Sequence, residues 1–196
     1  MKRSVVVLLS ASCFVSGYAR GQGACLDVPK GDPRWQQIDA QYARVERAMI
    51  AKDAKQLFAV YAPDFEARTP DGEVSSFKQS VAYSTAAFEQ VKKDISISNI
   101  VLDMQACKPA MPKVTVLQQW SRRQMSHGKL RLYQTVTVQD ETRVLRDGQW
   151  KRKRVEHLRP GAWLVDLERV DPTKPYDPEA PPFDPHGLIS SSGHSN

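Results

Sequence analysis

Beyond Lys93 the apolar residues of this chain stop recurring every three or four positions and begin to alternate, and they continue to alternate through four long segments. That change of period limits the fold more than any motif does, because helices and strands bury apolar residues with different spacings. Upstream, Trp35, Ile38, Tyr42, Val45 and Met49 form one helical stripe opposite Gln36, Gln37, Arg44 and Arg47. Asp32-Pro33 opens that helix as a cap followed by a first-turn proline. A shorter helix follows, capped by Asp53 and Gln56; its apolar residues are Leu57, Phe58, Val60 and Tyr61, and Pro63 stops it. Asp71-Gly72 predicts a small hairpin over residues 65–74. Ser76 and Gln79 then cap a third helix with Phe77, Val81, Phe88 and Val91 on one side.

In the alternating half, "DISISNIVLDM" sets Ile95 and Ile97 on one face and Ile100, Leu102 and Met104 on the other. Such a phase slip predicts a bulge, which bends a strand. Val114, Val116 and Trp120 alternate in "KVTVLQQW", and Leu130, Leu132, Val136 and Val138 alternate in "LRLYQTVTV". Turns are expected at Ser126-His127-Gly128-Lys129, Asp147-Gly148 and Arg159-Pro160-Gly161. Three helices followed by at least four turn-linked strands imply an α+β domain with helices layered on an antiparallel sheet.

The two ends read differently. Lys2 and Arg3 precede an apolar run, Ser4 to Gly17, that is too short to span a bilayer, and small residues follow at cleavage spacing. Residues 1–21 are therefore expected to be an export leader, residues 22–32 an arm, 33–170 the folded domain and 171–196 a disordered tail. The tail carries six prolines in 26 residues and lacks an apolar pattern that would repay ordering. Loss of Lys2, Arg3 and Arg20 lowers the formal charge from +6 to about +3. Cys13 leaves with the leader, so Cys25 and Cys107 remain as a candidate disulfide in an oxidising compartment, the alternatives being lipidation at Cys25 or two free thiols.

The order long helix, short helix ending in "YAPDF", turn at "PDGE", third helix and long strands resembles the nuclear transport factor 2-like superfamily. Within it the chain is most similar to secreted SnoaL-like bacterial members, and "RDGQW" resembles their late hairpin. The resemblance covers roughly residues 33–168. It implies a cystatin-like roll, in which three N-terminal helices and a curved antiparallel sheet form a cone around a pocket. It further implies either a bound small apolar or amphipathic ligand, isomerase, cyclase or dehydratase chemistry, or dimerisation through the sheet.

Enzymes of that superfamily need a desolvated base beside a carbonyl and a donor for the enolate oxygen. Asp64 is one candidate, at the expected helix break, where it could equally bond nearby backbone donors. His157, in phase with Val155, is the other candidate, or an ordinary sheet residue. Asp103, Glu141 and Glu156 are set aside because their sequence neighbours are polar or charged. Tyr42, Tyr61, Phe65, Trp120 and Tyr133 are expected to line the pocket or fill the core. Gln118 and Gln134 each interrupt an apolar strand face, so they reach a ligand or water, bond each other or lie on exposed sheet.

Four scattered histidines give no metal-ligand spacing, and the sequence implies no cofactor. Between Trp120 and Arg159 eleven Lys or Arg stand against four Asp or Glu. A basic sheet can neutralise phosphates, but export argues against nucleic acid as the partner.

Overall fold

The computed structural model describes residues 25–68, 72–108, 110–171, 174–180 and 183, with side chains for all of these except 93–95 and 157–160. The expected leader, Asp71 and nearly all of the tail after residue 180 lie outside the described residues.

Helix α1 spans Pro33–Ile50. The Asp32 carboxylate accepts from the Arg34 backbone N–H at 2.9 Å and from its guanidinium at 2.8 and 2.7 Å. Those bonds hold the Asp32 pKa at about 2. Trp35, Ile38, Tyr42, Val45 and Ala48 are buried along one face, as the stripe required; Met49 is only partly buried. Helix α2 covers Ala54–Phe58, with Asp53 accepting from Gln56 N–H at 2.9 Å. Helix α3, Phe77–Gln90, begins with the complete reciprocal cap between Ser76 and Gln79.

Helix α2 stops earlier than expected. Tyr61–Arg68 is not a helix end followed by a hairpin arm but a strand, β2, with Pro63 inside it. Proline is tolerated there because the pairing of β2 with its neighbour shifts register between Tyr61 and Glu66, so no ladder bond is asked of residue 63. Strand β3, Val74–Ser76, completes the predicted hairpin through Glu66↔Ser76, Ala67↔Ser75 and Arg68↔Val74.

The long strands are β4 (Val91–Ala106), β5 (Pro112–Ser126), β6 (Lys129–Arg146) and β7 (Gln149–Val165). Short strands β1 (Leu26–Asp27) and β8 (Glu168–Arg169) flank them. The order across the curved sheet is β1-β4-β5-β6-β7-β2-β3, with β8 also paired to β7. The expectation of an all-antiparallel sheet is corrected at one seam: β2 runs parallel to β7, tied by Arg152 N–H to the Val60 carbonyl at 2.8 Å. The sheet is mixed.

Both two-residue hairpin turns fall where expected, with positive φ at His127 and Gly128 and at Asp147 and Gly148. Arg159-Pro160-Gly161 makes no turn, however; β7 runs through it with a register shift against β6. A Cβ at Gly161 would sit 1.7 Å from the Val136 carbonyl oxygen, so only glycine allows the two backbones to approach this closely. The turn that ends β7 uses Asp166 and Leu167 instead, both at positive φ. In β4 the phase changes between Val101 and Asp103, later than the sequence suggested, and Ile100 and Leu102 are exposed.

A disulfide joins Cys25 to Cys107 and fastens β1 to the end of β4. Two apolar clusters fill the space between helices and sheet. Trp35, Ile38 and Tyr42 pack on Met104, Val114 and Val116. Val45 and Ala48 pack on Leu57, Phe58, Val60 and Phe88. Within the segment expected to be a disordered tail, Tyr176 packs edge-on against Tyr133 at 6.0 Å, and Arg131 lies 5.2 Å over its ring.

Candidate functional site

Strands β5 and β6 pair without a register shift, so the faces of β6 follow directly from β5. Val114, Val116, Gln118, Trp120 and Arg122 share a face with Glu141, Gln139, Thr137, Thr135 and Tyr133, the side on which Val114 and Val116 meet α1. The apolar residues Leu130, Leu132, Val136 and Val138 therefore occupy the opposite side, and a polar stripe faces the helices. This inverts the usual pattern of an amphipathic strand.

The centre of that stripe is Glu141, which is fully buried. Its carboxylate accepts from Tyr42 Oη at 2.8 Å, Gln139 Nε2 at 2.8 Å and Arg152 Nε at 2.9 Å. Arg143 and Arg152 both ion-pair with it, at 2.5 and 2.8 Å. Glu141, which its charged sequence neighbours argue against as a buried base, can be buried because Arg143 and the more distant Arg152 both pair with it. Burial pushes the Glu141 pKa up, but the two guanidiniums and the Tyr42 and Gln139 donors outweigh that and hold it below the ordinary range. Burial likewise pushes the Tyr42 hydroxyl up, so it stays a proton donor. The cluster is anchored to α1, where Gln41 accepts from Arg143 Nη1 at 3.0 Å and donates to the Trp150 carbonyl at 2.5 Å.

Arg152 connects this cluster to a cavity of about 160 Å³. Val45, Met49, Leu57, Phe88 and Ile97 form its apolar wall, and Tyr61, Ser84, Gln118, Trp120 and Arg152 are among its polar groups. Tyr83, largely exposed on α3, brings it to the surface. Tyr61 is held in place by packing against Phe58 at 4.8 Å and Phe65 at 4.6 Å. Its hydroxyl oxygen accepts from Arg152 Nη1 at 2.6 Å. That leaves the Tyr61 proton for another acceptor.

Among the residues expected to line a pocket, the structure brings together Tyr61, Trp120 and Gln118. Gln118 donates to Asn99 Oδ1 at 2.9 Å, so its partner is not Gln134, which lies on the opposite face of the sheet. Tyr42 is buried below the cavity and committed to Glu141. Phe65 lies on a separate open groove, and Tyr133 packs near Arg122 at 5.4 Å and near Tyr176.

Asp64 also borders that separate groove and is far from desolvated. Lys153 at 2.9 Å and Arg146 at 3.1 Å pair with it, and the Lys153 hydrogen bond, more than any other contact, lowers its pKa. A base raised towards neutrality by burial is the reverse of this. Backbone pairing sets His157 opposite Gln139; its side chain lies outside the described residues. Among the described residues no cluster of His, Cys, Asp or Glu has the arrangement of a metal site. No helix among them is long and apolar enough to cross a membrane.

No family model matches the sequence, and no curated protein matches it. Solved structures do match the fold. A scytalone dehydratase-like protein from Novosphingobium aromaticivorans DSM 12444 superposes with a TM-score of 0.57 at 15% identity, over 67% of this chain and 87% of that one. The hexachlorocyclohexane dehydrochlorinase LinA-type3 from Novosphingobium barchaimii LL02 gives 0.56 at 10% identity, over 68% and 90%. The Kfla4162 protein from Kribbella flavida gives 0.54 at 11% identity, over 64% and 91%.

Proposed function

We propose that this chain, which has the nuclear transport factor 2-like fold, binds a small amphipathic molecule through a hydrogen-bond acceptor seated against Tyr61 and Arg152. The observation that carries this reading is the direction of one hydrogen bond. Because Tyr61 Oη accepts from Arg152, its own proton is free for whatever occupies the cavity. The surrounding wall is apolar, the common composition of a ligand site with a few orienting polar groups. An apolar cavity of about 150 Å³ is large enough for benzene, so a ligand of one ring or a short chain fits the space.

The polar side chains among the described residues lining the cavity are Tyr61, Tyr83, Ser84, Gln118, Trp120 and Arg152, with no carboxylate or imidazole among them. Glu141, the nearest buried carboxylate, is already engaged by two guanidiniums and two neutral donors. These features favour binding over proton abstraction. Export belongs to the same reading, because the Cys25–Cys107 bridge suits an oxidising compartment. Chain secreted by its host should have the mass of a form shortened near residue 21; an intact Met1 terminus on exported protein would contradict this.

The test of the binding reading is to expose purified protein to a metabolite extract and identify by mass spectrometry what remains bound. Tyr61→Phe should retain at least about fivefold less of that compound, the loss of one hydrogen bond of about 1 kcal/mol. Equal retention by the two proteins would overturn the role given to Tyr61.

A further inference from the structure

Glu46 on α1 is half-buried against β4 and does not itself line the cavity. Its Oε1 accepts from the Asn99 backbone N–H at 2.7 Å and from Asn99 Nδ2 at 3.2 Å. That backbone donor needs such a partner, because β1 covers the outer edge of β4 only at Gln105 and Ala106. Asn99 Oδ1 in turn accepts from Gln118 Nε2 at 2.9 Å, across the ladder in which the two residues are direct partners. One chain of hydrogen bonds therefore runs from α1 to the cavity wall, where it ends at Gln118.

The first link fixes the sense of both amides. A backbone N–H can only donate, so Glu46 Oε1 is acting as an acceptor. The Asn99 side-chain atom beside that oxygen has to be the NH2 group, since an oxygen there would set two acceptors face to face. Asn99 then turns Oδ1 to Gln118, and Gln118 has to answer with its own NH2 group. What is left over is Gln118 Oε1. No group among the described residues donates to it, and it is not one of the sealed, unpaired atoms, which include Trp120 Nε1. Half-buried Gln118 thus holds an acceptor of fixed sense, with accessible surface, at the wall of the cavity.

The cavity presents two groups of opposite character. Tyr61 Oη accepts from Arg152 and so offers its proton, whereas Gln118 Oε1 offers lone pairs. Tyr83 and Ser84 also line the cavity, but their hydroxyls rotate to donate or accept and impose no sense. A ligand with acceptors alone, such as a ketone, an ester or a carboxylate, answers Tyr61 and leaves Oε1 without a donor, which costs affinity once water is excluded. An ammonium group would donate to Oε1 but would sit beside the Arg152 guanidinium.

We infer that Gln118 is the specificity-determining residue of this cavity, and that its ligand is a neutral molecule whose polar end carries a hydrogen-bond donor beside an acceptor, as in a primary amide, a lactam or a hydroxy ketone. Glu46 and Asn99 are positioning residues that hold the Gln118 amide in the required sense. This rests on the reading that the cavity holds a ligand, and it adds the chemical class.

The experiment titrates benzamide and acetophenone separately into 15N-labelled full-length protein at pH 7 and follows the amide spectrum. The two compounds have nearly the same shape, and both present a carbonyl to Tyr61. Only benzamide has an N–H for Gln118. Because they differ in hydration, the quantity read is the ratio of their dissociation constants, acetophenone over benzamide, compared between proteins. Gln118→Met keeps the side-chain length, removes the amide acceptor and should lower that ratio at least about fivefold, as expected for one hydrogen bond. Glu46→Ala frees Asn99 to turn, so the Gln118 amide presents Oε1 about half the time and the ratio should fall about twofold or more. Glu46→Gln, which keeps an acceptor for the Asn99 N–H, should retain the original ratio. A ratio unmoved by Gln118→Met would overturn the role given to Gln118 while leaving the cavity reading standing. Should Gln118→Met fail to fold, the ratio in Glu46→Ala decides in the same way. Failure of both compounds to shift any cavity-wall signal would overturn both readings.

Discussion

Two groups of ionic side chains that draw their cations from the same two strands, Arg146 and Lys153 in one and Arg143 and Arg152 in the other, do opposite things. Around Asp64, Arg146 and Lys153 form an open cluster in which every side chain is a third or more exposed. Around Glu141, Arg143 and Arg152 form a closed one in which no side chain is more than 4% exposed. The chemistry is the same, carboxylate against guanidinium or ammonium. Water is what differs. Exposed pairs are screened and contribute little, whereas a buried carboxylate depends on every partner because nothing else can solvate it. The closed cluster is also the one that reaches the cavity, through Arg152, so the costly arrangement coincides with the candidate site.

The comparison breaks most readily at Glu141. Glu141→Ala leaves two guanidiniums buried without their carboxylate and should destabilise the fold by about 3–5 kcal/mol in urea unfolding. A loss below 1 kcal/mol would mean that water reaches the cluster. Tyr42→Phe removes one hydrogen bond to a buried charge, and about 1.5–3 kcal/mol is expected. It also sharpens the comparison through pH. The folded-state pKa of Glu141 is lower than its unfolded value, so its stabilisation is complete above the ordinary Glu range, near 4.3, and is lost as pH falls through the lower folded value. Taking away the Tyr42 donor weakens that depression, so the acid unfolding midpoint should move to higher pH. An unchanged midpoint would remove Tyr42 from the carboxylate's support.

Asp64→Asn should have the smallest effect, about 0–1 kcal/mol and less in high salt. The Asp64 pKa is lowered too, which gives an acid dependence of the same sign, discounted for exposure. If Asp64→Asn matched Glu141→Ala, the distinction between the two clusters would fail.

Much of the architecture could be read in the sequence because it follows from period and turn chemistry. The α1 stripe, the Ser76–Gln79 cap and both positive-φ hairpin turns rest on local rules, and the Cys25–Cys107 pair on there being two cysteines after the expected leader. What was not legible depended on pairings between distant segments. Tyr61 and Pro63 look like the end of a helix until β7 is available as a parallel partner with a register shift that tolerates the proline. Glu141 looks like a surface residue because Val136 and Val138 claim the apolar phase of β6. Its phase-mates Gln139 and Arg143 continue the polar stripe, and only the distant Arg152 and Tyr42 make that stripe buriable. The one available signal was a carboxylate alternating with Arg143 along a strand, opposite the "KRKR" run of the next. Trp120 and Gln118 lie on the cavity face because they continue the Val114–Val116 phase, and Gln134 lies on the opposite face because it follows the other.

The central claim is that the helix-facing side of this sheet holds a ligand cavity with Tyr61 and Arg152 as its donors. The most direct measurement is the 1H–15N amide spectrum of the protein titrated with benzamide. The account predicts shifts confined to the cavity wall, at Leu57, Tyr61, Phe88, Ile97 and Gln118, and weaker binding in Tyr61→Phe. Shifts centred instead on Ile100, Leu102 and Val138 of the outer face, with the cavity wall silent, would contradict it.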